Sequence, residues 1–97
     1  MIAEIQVLPS PAGTKGEAYA HVDAAIAVIA ESGLQYEVGP LGTSLEGPPA
    51  DVWRVLRAAH EATLAAGAGS VITVVKLAEG ANDGGPVIDD LVGKFRS

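Results

Sequence analysis

A predicted hairpin holds the residue best suited to contact a ligand, the carboxylate of Glu46, among neighbours that suit burial. Residues 34–38 and 42–46 have the composition of two short strands, and the Gly-Pro pair at 39–40 forces a turn between them. Because strand side chains alternate between two faces, Glu46 shares a face with Ser44. The Glu46 carboxylate is therefore a candidate ligand contact.

No pattern for catalysis or metal binding accompanies this carboxylate. The chain has no cysteine, no Gly-x-Ser-x-Gly elbow and no phosphate-binding glycine motif, and its two histidines, His21 and His60, lack metal-ligand spacing. His60 is expected beside the buried face of a helix, bonded to a carbonyl or to Glu61, and His21 is expected to be solvated. We therefore expect no catalytic residue, no metal site and no cofactor.

Composition bounds the classes of partner. The 97 residues are one domain in length, and nearly half are apolar. Twelve acidic against six basic residues give a net charge of −6 without a basic cluster, which disfavours nucleic acid and anionic lipid. The start of the chain has no apolar run typical of a signal peptide or membrane span. We expect a soluble, cytoplasmic protein that does not bind membranes.

Hydrophobic periodicity and turn residues predict the order of the elements. Thr14 and Glu17 match a capping box for the first helix, and glycines at 33 and 67 end the two main helices. Residues 70–77 are apolar on both faces, which predicts that both faces are covered. The predicted order is strand 2–8, helix 14–32, strand 34–38, strand 42–46, helix 48–66, strand 70–77 and a short helix from Pro86, after a turn at 82–85.

This order predicts an α+β, ferredoxin-like βαββαβ fold, an antiparallel sheet with two helices on one face plus a short C-terminal helix. The helix-free side, termed the open face, should carry Glu4, Gln6, Ser44, Glu46, Ile72, Val74 and Lys76. Exposed Ile72 and Val74 predict self-association through this face. Either Lys76 neutralises Glu4 or Glu46 across strands, or one of these carboxylates contacts a ligand.

Short motifs spread over nearly the whole chain give it a family resemblance. It resembles the small YkoF-like, thiamine-binding family in Ser32-Gly33-Leu34, Tyr36-Glu37, Gly39-Pro40, Gly42-Thr43, Glu46-Gly47, Ala59-His60-Glu61 and Gly67-Ala68. It departs from the family pattern at Leu41, where a methionine is expected, and in a less charged loop at 78–85. The resemblance implies a single ferredoxin-like ligand-binding domain over 1–97, assembled as dimers or tetramers. It also implies non-catalytic binding of thiamine or its hydroxymethylpyrimidine part, as a carrier, sensor or salvage accessory.

Under this resemblance the hairpin supplies most of the expected ligand-binding residues. Glu46 is expected to contact the pyrimidine or offset the thiazolium charge, Thr43 and Ser44 to offer hydroxyls, and Tyr36 to stack. Further candidates are Glu37, Lys76 and Glu4. The choice of Thr43 as a ligand contact conflicts with strand alternation, because alternation places Thr43 on the helix side with Leu45. Two alternatives stay open: a cofactor-free oxidoreductase or isomerase with His60 as base, and a purely structural interaction module.

Overall fold

The structure, a computed structural model, describes residues 1–81 and 87–95, apart from the side chain of residue 89. Its elements are β1 (Ile2–Ser10), α1 (Ala20–Glu31), β2 (Gln35–Val38), β3 (Thr43–Glu46), α2 (Pro49–Ala65), β4 (Ser70–Ala78) and α3 (Ile88–Val92), which continues into a 3₁₀ turn at Gly93–Phe95. The turn predicted at 82–85 and the helix start predicted at Pro86 lie outside the described residues.

Within the described residues the strands form one antiparallel sheet in the order β2-β3-β1-β4. The two central strands, β1 and β3, are the first strands of the two successive βαβ units, as the split βαβ arrangement requires. The predicted α+β, ferredoxin-like fold is confirmed, including the short C-terminal helix.

The core lies between α1, α2 and one face of the sheet. Alternate residues of β1 and β3 pack against helix residues spaced three and four apart. Together they form a single apolar layer. The buried cluster consists of Ala3, Ile5, Ala25, Ile29, Leu45, Val52, Val55, Leu56 and Ala59. Both helices end where the glycines predict, since Gly33 and Gly67 have φ of +83° and +126°.

The predicted start of the first helix is wrong. Thr14 and Glu17 bond to each other through both backbone groups, with N···O distances of 2.8 and 3.2 Å, and the Thr14 hydroxyl also accepts from Glu17 N. These bonds close a small loop instead of opening a helix, and α1 begins at Ala20. The capping-box pattern therefore marked a local turn.

His21 is not solvated, contrary to expectation. It is 3% exposed, and its Nδ1 lies 2.7 Å from the carbonyl oxygen of Pro11. Its Nε2 would lie 3.2 Å from a Cβ built on Gly67. The imidazole thus fills the space between the β1–α1 loop and the end of α2.

The two edges of the sheet differ in length and protection. β2 has four residues and is followed by Pro40, whereas β4 has nine residues and a single charge, Lys76. The prediction that both faces of β4 are covered is wrong for the single chain, because Ile72 is 68% and Leu77 44% exposed on opposite faces. β4 lies at the edge, where the helix layer covers it only in part.

Candidate functional site

Four of the predicted ligand-binding residues form one row across the open face. Glu37 is opposite Ser44, Ser44 is opposite Glu4, and Glu4 is opposite Lys76, so the row crosses β2, β3, β1 and β4. Side chains in directly opposed positions lie roughly 4.5–5.5 Å apart at Cβ. The strand pattern therefore brings Glu4, Glu37, Ser44 and Lys76 together, as a polar row.

Glu4 and Lys76 do not neutralise each other by direct contact. In the described part of the chain the ion pairs are Arg54–Asp51 and Arg57–Glu61, and both lie on α2. Glu4 and Lys76 are exposed on neighbouring strands without such a pair. Within the described residues the Glu4 carboxylate thus forms no ion pair with a basic side chain.

Glu46 has a partner that the sequence did not reveal. Its Oε2 accepts a hydrogen bond of 2.9 Å from the backbone N–H of Ile88, at the start of α3. The hydrogen-bond partner of Glu46 is thus a backbone N–H and not Lys76, the cross-strand partner considered from the sequence. Glu46 anchors the C-terminal helix to the end of β3.

Tyr36 and Thr43 lie on the opposite face from the polar row. Tyr36 is opposite Leu45 and Thr43 is opposite Ile5, and both of these partners belong to the core. Thr43 is 4% exposed and Tyr36 is 41% exposed. Strand alternation thus separates these two candidates from Ser44 and Glu46, which face the other way.

A largely apolar pocket of about 230 Å³ lies on the helix side, beneath the β2–β3 turn. Its walls come from β1, from α1 and from the turn with the first residue of β3. The lining residues are Ile5, Gln6, Val7, Val22, Ala25, Ile26, Ile29, Gly39, Pro40, Leu41, Gly42 and Thr43. The pocket forms because β3 begins only at Thr43, opposite Ile5, whereas β1 continues to Ser10, which leaves a gap beside β1.

The Glu4 side chain packs from the open face against Gly42, which lines this pocket. A Cβ built on Gly42 would lie 3.2 Å from Cγ and 3.4 Å from Cδ of Glu4, and 3.1 Å from the Ile5 carbonyl oxygen. Gly42 therefore leaves the room that the Glu4 side chain occupies. Gly42 thus separates the polar row on the open face from the pocket on the helix side, at the start of β3.

His60 is held by a side chain rather than by the predicted carbonyl or Glu61. Its Nδ1 lies 2.6 Å from the hydroxyl oxygen of Thr73 on β4, and its own carbonyl accepts from the Thr63 hydroxyl at 2.8 Å. The imidazole is half-buried between α2 and β4 and does not line the pocket. The arrangement ties α2 to β4.

A comparison with known families matches nearly the whole chain. Residues 3–94 match the family described as thiamine-binding protein. The chain belongs to this family. The resemblance drawn from its short motifs is thereby confirmed.

Other members and relatives of the thiamine-binding protein family match this chain over nearly its full length. A UPF0045 protein of Clostridium perfringens is 36% identical over 92 residues, which are 95% of this chain and 93% of the relative. The structure of a DUF77 domain from Bacillus cereus matches with a TM-score of 0.84 and 36% identity, over 98% of this chain and 88% of that one. A Thermotoga maritima structure, of a protein proposed to act in thiamine biosynthesis or salvage, matches with a TM-score of 0.79 and 26% identity, over 98% and 97%.

The described residues contain neither a membrane-spanning helix nor a metal-binding cluster. No helix there combines the length and apolarity that crossing a bilayer requires. No three His, Asp or Glu side chains in the same residues group closely enough to hold a metal ion.

Sequence reasoning found the polar row and missed the pocket. The row follows from alternation alone, whereas the pocket depends on the unequal ends of β1 and β3. Pro9 was the available signal, because proline in a strand indicates an edge without a ladder bond. The sequence predicts that β1 ends at residue 8, whereas the strand continues to Ser10.

Proposed function

We propose that the protein binds thiamine, or the hydroxymethylpyrimidine part of thiamine, in the pocket beneath the β2–β3 turn and carries out no reaction on it. Membership of the thiamine-binding family supports the class of ligand. The observation that carries the site is the largely apolar pocket of about 230 Å³, whose lining residue Gly42 packs against the Glu4 side chain of the open face. Small-molecule sites are typically apolar slots of this kind with a few placed polar groups.

The chemistry of thiamine matches this division of the site. Its aminopyrimidine ring is flat and neutral, which suits the walls formed by Val22, Ile26 and Leu41. Its thiazolium ring is a permanent cation, which suits the Glu4 carboxylate beside Gly42. The net charge of −6 adds a field that attracts cations. In this proposal Thr43 supplies the hydroxyl partner within the pocket.

In this proposal three more of the predicted residues form the surface next to Glu4. Glu37, Ser44 and Lys76 continue the polar row from Glu4 across the open face. A second copy covers this face and brings the pocket close to a subunit boundary, as a dimer or as half of a tetramer. The apolar end of the face, with Leu8 47% and Ile72 68% exposed on neighbouring strands, favours this contact.

Titration calorimetry with two ligands on matched variants tests the proposal. Glu4→Gln removes the open-face carboxylate that packs against Gly42, and Glu79→Gln removes an exposed carboxylate beyond β4 as the control for net charge. We expect Glu4→Gln to weaken thiamine about tenfold, equivalent to about 1.4 kcal/mol, and Glu79→Gln to leave the affinity unchanged. Hydroxymethylpyrimidine, which carries no thiazolium, should bind both variants as it binds the unmodified chain.

Two results would contradict the proposal. Absence of measurable binding of either ligand to the unmodified chain removes the function. Equal weakening of thiamine and hydroxymethylpyrimidine by Glu4→Gln removes Glu4 as the group that meets the cation.

A further inference from the structure

β1 is paired along one edge farther than along the other. Its register with β4 runs to Ser10, opposite Ser70, whereas its register with β3 ends at Ile5, opposite Thr43. Residues 6–10 of β1 thus have a strand neighbour on the β4 side only. The vacated side is where the pocket lies, since Gln6 and Val7 line it.

Backbone bonding at the start of β1 fixes which residues point to the vacated side. Gly47 N donates to Met1 O at 3.1 Å, and Met1 N donates to Gly47 O at 3.0 Å. In an antiparallel ladder every second residue makes such a reciprocal pair with the same neighbour. The odd positions of β1 therefore direct their N–H and C=O towards β3, and Val7 is the odd position after Ile5.

Val7 carries the main-chain donor that faces the gap. Ile5 is already opposite Thr43, and Pro9, the next odd position, has no N–H. Leu41 would be opposite Val7 if the ladder continued, but the turn diverges there, with Gly39 N donating to Gly42 O at 2.8 Å. In residues 1–81 and 87–95 no backbone hydrogen bond joins Val7 to this turn.

We infer that the backbone N–H and C=O of Val7 recognise the amino edge of the pyrimidine, with the N–H donating to a ring nitrogen and the C=O accepting from the adjacent amino group. This inference rests on the proposed function and names the groups that select the ligand within it. An aminopyrimidine presents an acceptor next to a donor, the complement of what one residue of a strand edge presents. The ring thus takes the place that a further residue of β3 would occupy.

Such an edge discriminates by chemical pattern. A ligand that presents two donors or two acceptors leaves a backbone group desolvated and unpaired, which costs more than a lost contact. Oxythiamine, in which an oxo group replaces the amino group, reverses the pattern of thiamine while retaining its shape and charge. The ligand therefore provides a probe that leaves the protein unmodified.

The variant test uses Val7→Pro against Val7→Ala. Proline removes the N–H, and the ladder does not use this N–H, so the strand can accept it as it accepts Pro9. Alanine trims the side chain and retains the N–H. We expect Val7→Pro to bind hydroxymethylpyrimidine at least about tenfold more weakly than Val7→Ala. Calorimetry on the unmodified chain should give oxythiamine an affinity at least about tenfold below that of thiamine.

The outcomes separate this inference from the function beneath it. If the unmodified chain binds thiamine and Val7→Pro binds as tightly as Val7→Ala, the inference is overturned and the function stands. Equal affinity for thiamine and oxythiamine overturns it as well, even if Val7→Pro fails to fold. If the unmodified chain binds none of these ligands, the function is lost and the inference with it.

Discussion

Ile88 donates its backbone N–H to Glu46 Oε2 at 2.9 Å, although the two residues stand 42 positions apart. Glu46 shares its face with Ser44, so this bond holds the start of α3 at the open side of β3. Ile88 is only 4% exposed, and its burial accompanies the bond. The Glu46 carboxylate, which the sequence predicts to contact a ligand, thus holds the C-terminal helix.

Replacing Glu46 should therefore affect stability and leave ligand binding intact. We expect Glu46→Ala to lower the free energy of unfolding by about 1 kcal/mol, because the Ile88 N–H loses its acceptor. Glu46→Gln retains an oxygen acceptor and should lose less. Urea unfolding measures both, and hydrogen exchange at Ile88 locates the change. Weaker thiamine binding by Glu46→Gln at unchanged stability would instead return Glu46 to the ligand site.

Gly67 should tolerate no side chain. Its φ of +126° is a backbone conformation that favours glycine, and an added Cβ would lie 3.2 Å from His21 Nε2. We expect Gly67→Ala to lower the free energy of unfolding by about 1–3 kcal/mol. Gly16→Ala is the control, since nothing lies within 4 Å of a Cβ there. A loss for Gly16→Ala as large as that for Gly67→Ala in denaturant unfolding would refute the explanation.

The Thr73 hydroxyl should stabilise the contact between α2 and β4. Thr73→Val removes the group that lies 2.6 Å from His60 Nδ1 and leaves the half-buried imidazole without it. We expect the free energy of unfolding to fall by about 1–2 kcal/mol. Thr73→Ser retains the hydroxyl and should lose less in the same thermal or urea experiment. A Ser variant less stable than the Val variant would show that shape outweighs the hydrogen bond.

Self-association should depend on the apolar end of the open face. Ile72→Lys places a charge beside Leu8, its neighbour on β1, and we expect it to lower the mean mass measured by light scattering at micromolar concentration. Leu64→Lys changes an exposed apolar residue of α2 in the same way and should leave the mass unchanged. An unmodified chain that is already monomeric under these conditions would contradict the prediction.

The sequence predicted what depends on local pattern. Alternation within short strands placed Glu4, Ser44 and Lys76 on the open face, and glycines at 33 and 67 predicted where the two main helices end. Both depend only on neighbours within one element, which a single sequence contains.

What it missed depends on distant parts of the chain. Burial of His21 requires the Pro11 carbonyl to turn back towards α1, and the role of Glu46 requires Ile88 to return to β3. The false start of α1 has another cause, since the Thr14–Glu17 bonds are equally good in an isolated turn. Neither kind of information is present in residue spacing.

The unequal edges of the sheet carry a consequence for handling the protein. A nine-residue border strand rich in β-branched side chains, guarded by one lysine, is a template for unwanted strand addition. Loss of the Lys76 charge should therefore favour strand addition at that border. Because strand addition joins two chains, precipitation should increase with protein concentration, and dilute stocks should remain clear for longer.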